Sequence, residues 1–118
     1  MQLLTKDAIK AASDRKTEDV EVPEWGEGVG VRIRTLSVKE HREFTAALSD
    51  KEKDDDATLS AQLMVAACVD EQGEPIFTLA DVPWLLEKSS SAVKRIGHAI
   101  STLNRLNRDA VEDARKNS

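Results

Sequence analysis

The sequence predicts an α+β domain, predominantly helical, in which an N-terminal β-hairpin precedes about four helices around a central apolar helix. Three observations carry this. Residues 59–69, LSAQLMVAACV, contain only Ser60 and Gln62 as polar side chains, so a helix there is apolar all round and must be covered on all sides. Residues 19–35 alternate apolar and polar side chains on either side of a glycine-rich turn. A third stretch places Ala92, Val93, Ile96, Ala99, Ile100, Leu103 and Leu106 on one helical arc.

At 118 residues, the chain suits a single domain, with 1–108 folded and 109–118 a flexible C-terminal tail. The central run is too short for a bilayer, which takes about 20 apolar residues. One cysteine, Cys68, allows no internal disulfide and suits a reducing compartment. The N-terminus lacks the charged-then-apolar pattern of a leader.

Taken in order, Thr5 caps a short first helix whose apolar side is Leu4, Ala8, Ile9 and Ala12. In the hairpin, Val20 and Val22 alternate with Asp19 and Glu21, and Pro23 ends the strand. Trp25, Gly26, Glu27 and Gly28 make the turn, and Val29, Val31 and Ile33 share one face of the return strand. Ser37 and Glu40 form a capping box for a helix with Val38, His41, Phe44, Thr45 and Leu48 on one side. His41 is expected to be hydrogen-bonded and partly buried there. The charged run 50–56 is a solvated loop, after which Thr58 caps the central helix. Gly73 and Pro75 end that helix. Thr78 and Asp81 form a second capping box, with Phe77 and Val82 as its hydrophobic staple, and Pro83 keeps this helix short. Its apolar side is expected to be Leu79, Val82 and Leu86, with Trp84 pointing away.

Net charge is −5, unevenly laid out: residues 58–87 carry five acids and no base, whereas 88–118 carry seven bases and three acids. That polarity either orients the chain on a partner or lets the two halves attract each other.

No constellation for catalysis emerges. Ser91 and Lys94 match S-x-x-K, but the S-D-N and K-T-G elements of serine acyl-enzymes are missing, and Ser91 reads as part of a helix start. The glycines at 26, 28 and 30 lack the Lys-Ser/Thr of a phosphate loop. Asp50, Glu52 and Asp54 have calcium-loop spacing, yet Asp55 replaces the required glycine and Ala61 the bidentate glutamate. His41, His98 and Cys68 are not paired at zinc-ligand spacing. No catalytic, cofactor-binding or metal residue is therefore assigned, and no cofactor is expected. Lys94, Arg105 and Arg108 form a basic stripe that would suit phosphates in a small DNA-binding or regulatory module. The acidic total and the scarcity of aromatics speak against it.

Residues 20–48, VEVPEWGEGVGVRIRTLSVKEHREFTAAL, resemble the tail assembly chaperones of long-tailed bacteriophages: a short hairpin with a V-x-V-x-x-L-S-style return strand, here VRIRTLS, then a charged amphipathic helix. The alanine-rich central helix, the stretch GEPIFTLADVPWLLEKSSSAVKRI and a last helix ending LNRLN extend the likeness over residues 18–107. The resemblance implies a non-catalytic protein of the infected host cytoplasm that binds the tape measure protein, aids tail tube assembly and is absent from the mature virion. It also implies contact with the tail tube protein and a frameshifted longer form; self-association is expected from the central helix instead, whose all-round apolar surface is covered either within one domain or by a second copy. Trp25 and Trp84 are then candidate partner-binding residues beside Lys94, Arg105 and Arg108; the alternative is that both tryptophans are core.

Overall fold

In a computed structural model, residues 1–48 and 56–106 are described. Helix α1 (Lys6–Ala11) begins where Thr5 Oγ1 accepts the Ala8 N–H at 3.1 Å. None of its residues is buried, so it is held by local hydrogen bonds and not by packing.

Strands β1 (Thr17–Glu21) and β2 (Gly30–Arg34) pair antiparallel with Val20 opposite Val31. Cross-strand Asp19 and Arg32, directly opposite, close an ion pair at 2.7 Å. The turn between the strands contains a 3₁₀ turn, Pro23–Trp25, and Gly28 at φ +72°, a left-handed conformation that glycine adopts without a Cβ clash. Val22 and Ile33 are fully buried, Val20 and Val31 pack partly against the core, and Val29 is exposed. The inward face thus carries only part of its expected load, because the turn lifts Val29 clear of the helices.

Ser37 and Glu40 form the expected capping box on α2 (Val38–Ala47), Ser37 Oγ accepting from Glu40 N at 3.1 Å and Glu40 Oε1 from Ser37 N at 2.9 Å. Glu40 also pairs with Arg15 and Arg34, tying the approach to β1 and the end of β2 to this helix. Of the predicted apolar side, Phe44 and Leu48 are buried, Thr45 is half-buried, and Val38 and His41 are exposed. The first turn of α2 overhangs the core, so helical spacing alone overstates what it buries.

Helix α3 (Asp56–Ala67) is the central element, and no residue after Asp56 in it is exposed. It packs against α2, β2, the short helix α4 (Val82–Leu85) and, most extensively, α5 (Ser90–Leu103). The helix stops at Ala67, well before the end expected at Gly73. Cys68–Val69 instead forms β3, which pairs antiparallel with β2, so β2 is the middle strand of a three-stranded sheet. A short apolar run fits a buried strand as well as a buried helix, and the unpaired edge of β2 decides between them. Asp70 fixes the exit, accepting the N–H groups of Gln72 and Glu74 at 2.9 and 3.0 Å.

A 3₁₀ turn (Leu79–Asp81) leads into α4. There Leu85 is fully buried while Leu79 and Leu86 are exposed, a correction to the expected apolar side. The change from 3₁₀ to α winding shifts the phase, and 100° spacing then points to the wrong leucine. In α5, Ala92, Val93, Ile96 and Ile100 are buried and Ala99 and Leu103 pack at its edge, as the arc predicts, whereas Leu106 reaches the core from beyond the end of the helix. Asn104 closes the fold: Oδ1 accepts the Leu36 N–H at 2.7 Å, linking the end of α5 to the segment before α2. The loop predicted at 50–56, apart from Asp56, which begins α3, and the tail 109–118, like Arg108, lie outside the described residues.

Candidate protein-binding surface

Trp84, in α4, has its indole held from two sides. Nε1 donates to Asp81 Oδ1 at 2.7 Å, and the ring meets Phe77 edge-on, with centroids 5.8 Å apart and planes at 62°. Asp81 is positioned by the capping turn, where its Oδ2 accepts from Thr78 N at 2.7 Å. The Thr78 N–H, then the indole N–H, hold the Asp81 carboxyl below its ordinary range. Trp84 nonetheless remains 44% exposed. An aromatic face that is both fixed and solvent-facing loses little freedom on meeting a partner.

Phe77 continues inward to line a cleft of 290 Å³ between α2, α3 and residues 75–79. Phe44 and Ala47 form one wall, Val65 and Ala66 the other. Local spacing could not reveal this cleft, since its walls lie more than a whole helix apart in the chain. The local signals near it were the two capping boxes, through Glu40 and Thr78, and the staple residue Phe77.

Trp25 is 37% exposed at the end of its 3₁₀ turn. The adjacent Glu24 clamps that turn to the start of α5, accepting from Arg95 at 2.5 and 2.7 Å and from Ser91 Oγ at 2.6 Å. These bonds, Arg95 foremost, pull the Glu24 carboxyl down to about 2. Ser91 is thus engaged by a carboxylate in the first turn of the helix. No ring contact among the described residues joins Trp25 to Trp84.

The basic residues are dispersed. Lys94 is exposed in the first half of α5. Arg105 lies beyond the end of that helix in a left-handed conformation, φ 57°. Because α5 stops at Leu103, the stripe expected to run through Arg105 is broken by the change of backbone direction. Cys68 is fully enclosed, and burial pushes its thiol up to about 12. Among the described residues no cluster of three or more His, Cys, Asp or Glu could hold a metal ion, and no helix is long and apolar enough to cross a membrane.

The phage tail assembly chaperone family matches the chain over residues 4–117. The chain belongs to that family. Its fold is similar to the bacteriophage HK97 tail assembly chaperone, with a TM-score of 0.53 at 19% identity over 76% of this chain and 87% of that one. No curated protein sequence matches it. The described surface of this tail assembly chaperone includes two exposed tryptophans and an apolar cleft.

Proposed function

We propose that this chaperone is non-catalytic, binds the tape measure protein through its exposed aromatic surface, and aids assembly of the tail tube around it. Tail tube protein is a second partner on this reading. The chaperone acts in the host cytoplasm, can self-associate, and leaves before the virion is complete. A frameshifted form that continues past the tail 109–118 is part of the same proposal.

The observation that carries the reading is Trp84, immobilised by Asp81 and Phe77 yet 44% exposed. A domain with so few aromatics gains little stability from leaving one of them in water, whereas rigid exposed tryptophans are favoured interface anchors. The DNA-binding alternative lacks comparable support, because Arg95 is taken up by Glu24 and Lys94 and Arg105 lie at separate places on and beyond α5.

Co-expression with the tape measure protein of the same phage, followed by affinity purification, is expected to recover both proteins in one complex. Mass spectrometry is expected to find the chaperone in infected cells and not in purified virions, with additional peptides running from residue 109 into a second reading frame. Failure to recover the tape measure protein would overturn the reading.

A further inference from the structure

The cleft between α2, α3 and residues 75–79 has a one-sided chemistry. Its walls are apolar, and two carboxylates, Glu40 and Glu43, line it. No lysine or arginine does; Lys39 and Arg42 of α2 are not among its lining residues. Glu40 is occupied by Arg15 and Arg34, but Glu43 is exposed and has no ion partner among the described residues. One whole wall comes from the stretch 58–87, which holds no base; its five acids lie outside the lining. Gln62 of that wall is tied across to α2, its Nε2 donating to Ala47 O at 3.3 Å, while its Oε1 is closed off from solvent. The cleft therefore offers apolar surface edged by the free carboxylate of Glu43 to an occupant that must supply apolar groups and a cation.

We propose that this cleft seats a basic amphipathic helix of the client, one with an aliphatic face flanked by lysine or arginine. The shape agrees: Phe44 and Ala47 on one helix face Val65 and Ala66 on another, a trough that takes side chains spaced at i, i+3 and i+4. Glu43 at the rim pairs with the flanking cation, and Trp84, packed edge-on against Phe77, senses the filling of the trough. This assignment rests on the chaperone reading above and names the chemistry of the partner segment.

The test uses the full chain with Trp25→Phe, which leaves Trp84 as the sole tryptophan emitter. Two synthetic helical peptides share one leucine face and differ only in carrying lysine or glutamate flanks. The lysine peptide is expected to shift Trp84 emission saturably and to bind at least about tenfold tighter than the glutamate peptide. Glu43→Lys is expected to erase or reverse that preference. Glu18→Lys, an equal charge change on exposed β1, is expected to preserve it. Equal affinity for both peptides, or the same loss of preference in both variants, would overturn the proposal. So would a dependence of Trp84 emission on the concentration of the protein alone that disappears when residues 1–11 are removed, since α1 of a second copy, with Lys6, Ile9 and Lys10 and with Leu4 just before it, would then be the occupant. If neither peptide binds while the tape measure protein still co-purifies, the cleft assignment fails and the chaperone reading stands. If the lysine peptide binds with the expected preference but the tape measure protein does not co-purify, the cleft assignment holds and the choice of client fails.

Discussion

A Cβ placed on Gly97 would lie 2.3 Å from Ser60 Oγ and 2.8 Å from Ser60 Cα. The two central helices, α3 and α5, touch there almost backbone to backbone, and the close approach brings Ala61, Met64, Ile96 and Ile100 into one fully buried cluster. Small residues at a helix crossing set the distance between the axes, and every large side chain around them is packed to that distance.

Gly97→Ala is therefore expected to destabilise the domain by about 1–3 kcal/mol, read as a lower urea midpoint at unchanged slope. Adding Ser60→Gly removes the nearest two atoms but not Ser60 Cα, so the double variant should recover part of the loss. Purely additive losses would show that the helices do not meet at this pair.

Leu63→Asp is expected to abolish the cooperative fold. Leu63 is buried in α3, and an unpaired charge there costs several kcal/mol, against a total stability of about 5–15 kcal/mol for a domain of this kind. A thermal melt close to that of the unchanged protein would place this face of the helix in solvent.

The Glu24 carboxyl, held near 2 against an ordinary 4.5, makes a pH prediction. A carboxylate with a depressed folded-state pKa contributes stability that is present above about 4.5 and lost as pH falls toward 2. Glu24→Gln should flatten the stability profile across that interval, with little change in its shape above it. An unaltered acid limb would show that Arg95 and Ser91 do not hold this side chain in solution.

Cys68 should resist alkylation and aromatic disulfide reagents at pH 8 in the native protein and react at once in denaturant. It is fully enclosed, and burial holds its thiol protonated up to about 12. Rapid native labelling would mean that β3 opens readily from β2.

What was legible in the sequence was local. Both capping boxes, the hairpin and the arc of α5 depend on residues within a few positions of each other, and the structure carries all of them. The switch of Cys68 and Val69 from helix to strand depends on the unpaired edge of β2, more than thirty residues earlier. The burial of Leu85 in place of Leu86 follows from a change of winding that no fixed period describes. Exposed Val38 and His41 show the same limit, since spacing identifies a face but not how far a core extends beneath it. On the surface, Trp25 and Trp84 were candidates from the family resemblance together with their places in the hairpin turn and off the predicted apolar side, whereas the cleft beside Phe77 is assembled only by tertiary packing.

The most direct test of the account is the affinity of Trp84→Ala for the tape measure protein, measured beside its melting midpoint. Trp84 is 44% exposed and meets the fold through an edge contact with Phe77 and a bond to Asp81. The expected result is an affinity loss of at least about tenfold, or ~1.4 kcal/mol, with stability lowered by about 1 kcal/mol or less. Unchanged affinity together with a strongly lowered midpoint would contradict the account and make Trp84 a structural residue.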